Sequence, residues 1–424
     1  MNNVMTTEHY PQDPERSFSL TNKFAKAVIL RMLGGIQHGQ IILQDGENCQ
    51  TYGNDQNLQA TVTVCHPDFY KKVLFGGSIG GGEAYIAHFW EVDDLTKLVR
   101  IMVLNMELLD RMEQGFAFIL RPFHLLRHIA RPNSKRQAKS NILSHYDLGN
   151  EMYQSFLDPT MMYSSAIYPR EGSTLEEASL HKLDVICQKM ELKPTDRVIE
   201  IGAGWGGFAI HAARNYGCHV TTTTISEAQF TEAQKRISEA GLADKITLLQ
   251  KDYRDLTGQY DKLVSIEMIE AVGHKYLPEF FSKCSSLLKE DGMMFLQAII
   301  ISDQKYEEYV HSVDFIQRYI FPGGCLPSKR RMLDLLSAKT DMVAHHLEDY
   351  GVDYARTLRD WRMRFNNAFA SLKNHGYDET FRRLWEFYFC YCEGGFLEQS
   401  INVVHLMARR PAQCKIAKNN MNNY

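Results

Sequence analysis

Nine cysteines are present, yet no two stand in a C-x-x-C arrangement, which argues against the usual zinc and disulfide frameworks and for a reduced, cytoplasmic setting. No metal site is expected. No apolar run reaches the roughly 18–20 residues that a membrane-spanning helix needs, and the polar N-terminus has no signal-like apolar core. The formal net charge of −4 supplies no positive field that would attract nucleic acid. What remains is a 424-residue chain with 44% apolar content, enough for a sizeable core and, by size, for two domains.

Three regions emerge. From about Ala25 to Asn105 the pattern is strand-like and reads as antiparallel, with a turn at Asp45-Gly46 and the alternating run Ala60–Val64. The Gly-rich stretch Gly76–Gly82 lacks the Lys-Ser/Thr of a phosphate loop, so a structural turn is expected there. Residues 121–139 hold Arg121, Arg127, Arg131, Lys135, Arg136 and Lys139 and no acidic residue. With Leu125, Leu126 and Ile129 interleaved, this segment suits an anionic bilayer surface, and a solvated linker is the competing reading. Strands and helices alternate from about residue 197 to 300, the pattern of an α/β doubly wound, mostly parallel Rossmann-like sheet. The expected division is a smaller α+β domain over 1–120, a basic linker over 121–140 and a catalytic domain over 141–424.

The most informative segment is Arg197-Val-Ile-Glu-Ile-Gly-Ala-Gly-Trp-Gly-Gly-Phe208, a strand running into a glycine turn and a helix. Such a turn lets backbone approach a nucleotide-like ligand and presents unpaired N–H groups. An NAD site would need an acidic residue at the end of the next strand. That strand ends Thr222-Thr223-Thr224-Ile225-Ser226, and Glu227 reads as a residue of the following helix's first turn. Glu200, inside the first strand, is costly to bury without a partner, and the ammonium or ribose of S-adenosylmethionine (SAM) would supply one.

Several motifs, in order, carry a resemblance to the cyclopropane-fatty-acyl-phospholipid synthase family. They are His145–Asn150, Asp158-Pro159…Tyr163-Ser164, Val198–Phe208, Thr224-Ile225-Ser226…Gln229, Met268–His274 and Tyr319–Ser328. The likeness spans about 140–410, and the N-terminal region more loosely resembles that family's lipid-binding domain. It implies SAM-dependent methyl transfer to the double bond of an unsaturated acyl chain of a membrane phospholipid, giving a cyclopropane fatty acid. It also implies a peripheral place on the inner membrane face, with a homodimer left open. By motif match, Tyr163 and Ser164 belong to the methionine end of SAM, Gly202 and Gly204 to its loop, Thr224 and Gln229 to the ribose, and Asp252 and Tyr253 to the adenine. A helix cap formed by Ser226 and Gln229 is the plainer reading of that strand end.

The resemblance further implies a bicarbonate ion as base, held by a Cys, a Glu, a His, a backbone group and a Tyr. Glu270 and Tyr354 match, but Ser165 stands at the Cys position and Gln297 at the His position. Ser and Gln can still donate hydrogen bonds to an oxyanion. The ring product is preferred because Glu270 and Tyr354 are retained. The alternatives are a mid-chain methyl-branched or methylene product, or a lapsed lipid-binding protein. Phe315, Tyr319, Phe321, Trp361, Phe365 and the aromatics at 387–391 read first as core and second as acyl-chain lining.

Overall fold

The structure, a computed structural model, describes residues 19–108 and 149–411. The basic segment 121–139, both expected domain boundaries and His145–Leu148 lie outside the described residues.

The N-terminal part is α1 (Leu20–Leu33), β1 (Gln40–Asp45), β2 (Asn48–Gly53), β3 (Gln59–Val64), α2 (Asp68–Ile86), β4 (Trp90–Val92) and α3 (Leu95–Leu104). Its sheet has the order β2-β1-β3-β4. The Asp45-Gly46 turn makes β1 and β2 an antiparallel hairpin, but β1 runs parallel to β3, which corrects the all-antiparallel expectation. The longer connection from β2 to β3 brings the chain back to the start of the sheet.

Gly76–Gly82 is a second correction, for it lies inside α2 and not in a turn. The helix breaks direction at Gly77, whose φ of 54° and ψ of −138° are open only to glycine. Beyond the break, a Cβ on Gly82 would sit 2.6 Å from the Phe315 ring. The glycines therefore serve a kink and a close approach between helix and aromatic ring.

The C-terminal part begins with α4 (Asn150–Phe156) and α5 (Leu175–Lys189), the latter started by a Thr174/Glu177 capping box. The alternating run follows: β5 (Arg197–Ile201), α6 (Gly207–Tyr216), β6 (His219–Thr224), α7 (Glu227–Glu239), β7 (Ile246–Gln250), β8 (Tyr260–Ile266), α8 (Leu277–Leu287) and β9 (Leu288–Ile301). After it come α9 (Lys329–Lys339), β10 (Val343–Asp349), α10 (Gly351–Leu372), α11 (Glu379–Leu397) and β11 (Ile401–Arg409). The sheet order is β10-β11-β9-β8-β5-β6-β7, with β5 to β9 parallel and β11 antiparallel to both neighbours. The order reverses between β5 and β8, so a ligand is expected beyond their carboxyl ends.

One apolar core joins the two sheets' surroundings, because α11 packs on α10 and also on α2 and α3. Arg383 fastens that contact: it is buried, stacks 3.8 Å from the Tyr85 ring, and donates to Tyr85 O at 2.7 Å and to Glu91 at 3.0 Å. Across the same seam Thr96 Oγ1 donates to Glu393 at 3.0 Å. Of the aromatics read as core, Trp361, Phe365 and Phe389 are buried within this cluster, whereas Phe321, Tyr388 and Tyr391 reach a cavity beside it.

Candidate active site

The cavity, of about 1650 Å³, opens at the switch point and is walled from both parts of the chain. Pockets for single small ligands span about 300–1,000 Å³, so there is room for a nucleoside and a long chain together.

Its first wall is the glycine loop. Gly202, Gly204 and Gly206 hold φ values of 101°, 51° and 86°, which aim the turn across the end of β5 and into α6. A Cβ on Gly204 would meet nothing within 4 Å, so the space before it is free for a ligand. Thr224, Gln229, Asp252 and Tyr253 line the neighbouring wall. Thr224 Oγ1 and Gln229 Oε1 are bonded at 2.8 Å, and Ser226 caps α7 by accepting from the Gln229 N–H at 3.3 Å. Ser226 is thus the cap, but Gln229 does not close a capping box: its side chain takes the Thr224 hydroxyl, and the Ser226 N–H donates to Thr224 Oγ1 at 3.2 Å. Asp252 is gripped by Arg254 Nε at 2.8 Å and its NH2 group at 2.7 Å. Glycine-loop backbone, a hydroxyl, an amide and a carboxylate are groups that fit a nucleoside with an amino-acid tail.

Glu200 finds a protein partner: its Oε2 accepts from Thr222 Oγ1 at 2.6 Å, across the β5–β6 register. Burial pushes its carboxyl up to about 8, opposed by Thr222 and the Lys182 ammonium. Glu200 lines the cavity, as do Tyr163 and Ser164. The Tyr163 hydroxyl lies 3.1 Å from that of Tyr388, and Ser164 Oγ accepts from Lys182 Nζ at 2.7 Å.

Three of the expected base residues converge on a carboxylate that the motifs did not single out. Glu267, directly after β8, accepts from the Ser165 N–H at 2.8 Å and Gln297 Nε2 at 2.7 Å through Oε1, and from the Tyr354 hydroxyl at 2.8 Å through Oε2. Ser165 contributes its main chain; its hydroxyl turns to Ala166 O at 3.0 Å, so the expected hydroxyl donor is corrected to a backbone donor. Glu267, Glu270 and Tyr354 line the cavity, while Ser165 and Gln297 are buried behind that wall. They are positioning residues. Glu270 accepts from the Ile299 N–H at 2.5 Å through Oε1, and its buried Oε2 has no partner among the described residues. Burial, with the neighbouring Glu267 charge, raises the Glu270 carboxyl to about 8. Burial raises Glu267 too, but Gln297, Lys182, Ser165 and Tyr354 pull it down.

Behind the cage stand two more groups missed in the sequence. Lys182 is fully buried, and burial lowers it to about 8 against the pull of Glu267, Asp158 and Glu200. It sits on the buried face of α5 with Leu175, Ala178, Ser179, Leu183 and Ile186, so a lysine within an apolar helical stripe was the available signal. His405, opposite Gln297 in the β9–β11 register, pairs its Nε2 with Gln297 Oε1 at 3.0 Å and its Nδ1 with Lys189 Nζ at 3.2 Å. For Glu267 the signal was a charge ending a buried strand, the argument already applied to Glu200.

The model of the mycolic acid cyclopropane synthetase family matches residues 133–406. Over 351 residues the chain is 37% identical to the cyclopropane-fatty-acyl-phospholipid synthase of Escherichia coli K12, covering 83% of this chain and 88% of that one. It is 36% identical to the tuberculostearic acid methyltransferase of Mycobacterium tuberculosis, over 77% and 78% of the two chains. Among solved structures, the cyclopropane synthase MmaA2 of M. tuberculosis superposes with a TM-score of 0.60 at 28% identity, over 64% of this chain and 98% of that one. The mycolic acid cyclopropane synthase CmaA1, solved with S-adenosylhomocysteine, gives 0.57 at 27% identity over 64% and 98%.

Proposed function

From the premise that the chain belongs to the mycolic acid cyclopropane synthetase family and is a SAM-dependent fatty acyl methyltransferase, we propose that it methylates the double bond of unsaturated acyl chains in membrane phospholipids and closes a cyclopropane ring. The observation that carries this reading is one continuous cavity, which runs from the glycine loop past Glu267 and Glu270 to an apolar wall built by both parts of the chain.

SAM, when bound, supplies an electrophilic methyl. The chain's own groups do the rest. The alkene is a weak nucleophile, so its acyl chain must be held in a dry, fixed pose. Ile299, Leu358, Phe387 and Phe396 on one side and Ile41, Leu43, Val73 and Leu98 on the other form such a wall. The cation left after methyl addition is stabilised by ring faces, which Tyr163, Phe321, Tyr388 and Tyr391 present to the cavity. The carboxylates beside them provide a place for the proton released on ring closure.

Lipid delivery is proposed from the N-terminal helices at the cytoplasmic membrane face. Leu20 and Phe24 on α1, Phe75 on α2 and Leu104 on α3 are exposed, and Phe75 also lines the cavity. No described helix is long and apolar enough to cross a membrane. A methyl-branched or methylene product of the same cation is the second reading, supported by the likeness to the tuberculostearic acid methyltransferase.

The test is incubation with vesicles of unsaturated anionic phospholipid and methyl-labelled SAM. Label is expected in the acyl chain, co-migrating with a cyclopropane standard, with protein pelleting on the vesicles at low salt and less at high salt. Label confined to soluble products would overturn the lipid reading, and co-migration with a methyl-branched standard would overturn the ring.

A further inference from the structure

Glu267 holds a backbone φ of 47°, a left-handed state that residues with a Cβ adopt at a cost. Strain of this kind persists where surrounding contacts fix it. Here the main-chain N–H of Glu267 donates to Gln297 O at 2.8 Å, and the side chain takes the three hydrogen bonds of the cage.

Those donors come from three residues at positions that the family resemblance gives to a bicarbonate site, and these have no donor left for an ion, since the Ser165 hydroxyl is itself turned to Ala166 O at 3.0 Å. The Ser165 N–H and Tyr354 O–H each carry one hydrogen, and both are directed to Glu267. Gln297 Nε2 carries two; one goes to Glu267 and the other to Ser165 O at 3.2 Å. A free anion would also have to enter beside two buried carboxyl groups, which is unfavourable in a low-dielectric site. The residues present do not fit the ion.

We propose that the Glu267 carboxylate takes the place of the bicarbonate base, so that this enzyme carries its base as a side chain and works without the ion. The proposal rests on the methyl-transfer reading above. Oε2 is the reacting atom, since it accepts only from Tyr354 among the described residues while Oε1 accepts from Ser165 and Gln297. After the methyl has joined one alkene carbon and left positive charge on the other, Glu267 Oε2 removes a proton from the new methyl carbon. The electron pair of that C–H bond forms the closing C–C bond of the ring. Glu267 becomes a neutral acid and releases the proton to solvent before the next turnover. Lys182 balances the ionised form between turnovers, being the cation whose charge acts on Glu267.

The experiment compares wild type, Glu267→Gly and Glu267→Gln in carbon-dioxide-free buffer with and without added bicarbonate. Glycine relieves the positive φ and empties the cage; glutamine keeps the shape and removes the basicity. Wild-type turnover is expected to be unaffected by bicarbonate. Both variants should lose about 10²-fold or more in turnover, with SAM affinity retained as the check on folding, and bicarbonate should restore Glu267→Gly alone. Carbon-13 bicarbonate should show saturable binding to Glu267→Gly and none to wild type. A wild-type rate that depends on bicarbonate, saturable ion binding to wild type, or a Glu267→Gly variant fully active without the ion would overturn the proposal. Absence of acyl methylation by wild type under every condition would instead overturn the functional reading, and the ion-binding measurement would still decide the cage.

Discussion

At the glycine-loop end of the cavity the wall is backbone, and its side chains bond to near neighbours in sequence: Thr224 to Gln229, Ser226 to the Gln229 N–H, Asp252 to Arg254. At the carboxylate end the wall is one side chain, Glu267, fixed by groups from α10, from β9 and from the loop after α4, with Lys182 of α5 supplying charge. The first end is determined by chain geometry that a short segment carries by itself. The second is a network assembled from distant segments, whose members polarise one another and weaken together when one is lost. Cofactor binding and chemistry should therefore fail separately under mutation.

The sharpest break of that separation is Gly204→Val. The residue holds φ 51°, strained for a β-branched side chain, and its Cβ would enter the open space before the loop. Strain and overlap together should weaken SAM binding by about 3 kcal/mol, about a hundredfold in Kd. Calorimetric titration with S-adenosylhomocysteine measures this, and undiminished affinity would remove the loop from the cofactor site.

Glu270→Gln should do the reverse: it alters the acid that lines the cavity beside Glu267 without touching the loop, so turnover should fall by about tenfold while SAM affinity stays nearly unchanged. It also carries a stability signature. The folded state raises this carboxyl from 4.5 to about 8, so the folded protein binds the proton more tightly than the unfolded chain. That contribution is complete below pH 4.5 and is lost as pH rises through about 8. Melting temperature of the ligand-free protein should fall over this window, and fall less in Glu270→Gln, whose side chain stays neutral. Glu200, raised to about 8 by burial, leaves a residual slope in both. Equal slopes in thermal melts across the window would show that Glu270 is not the buried acid.

These two ends were unequally legible in the amino-acid sequence, for the same physical reason. The glycine loop, the strand end Thr224–Ser226 and the following cap lie within one short stretch, where residue type and spacing determine the geometry. The sheet was legible too, because buried parallel strands are apolar runs separated by helices that end at glycines such as Gly217. Gly76–Gly82 misled because glycine marks both turns and close helix contacts, and only the position of Phe315 distinguishes them. The cage was half visible. Ser165, Gln297 and Tyr354 could be aligned with an ion site, but what fills that site depends on Glu267 adopting a left-handed backbone, which no local pattern signals. Lys182 and His405 act through contacts 18 residues and more than 100 residues away in sequence, beyond any periodic reading.

The smallest expected effect tests whether the network reaches past the residues that touch Glu267. Burial, with the nearby lysines, lowers the His405 imidazole to about 2, so the ring is neutral throughout the working range. Its Nδ1 faces the Lys189 ammonium and must accept, which leaves the hydrogen on Nε2 to be donated to Gln297 Oε1. That bond fixes which end of the Gln297 amide faces Glu267. In His405→Leu the amide loses its anchor, and the donor to Glu267 Oε1 becomes intermittent. Losing about 1 kcal/mol of hydrogen bonding to the ionised carboxylate should slow turnover about fivefold. It should also move the acid-side limb of the pH–rate profile upward, because the base must be ionised to act and a donor that favours its charged form has been weakened. SAM affinity should not change, and His405→Gln, which restores a donor, should recover most of the rate. A drop in stability with no shift of the pH profile would mean that His405 only packs between Phe295 and Tyr350, whose rings lie 4.7 and 4.4 Å from its own.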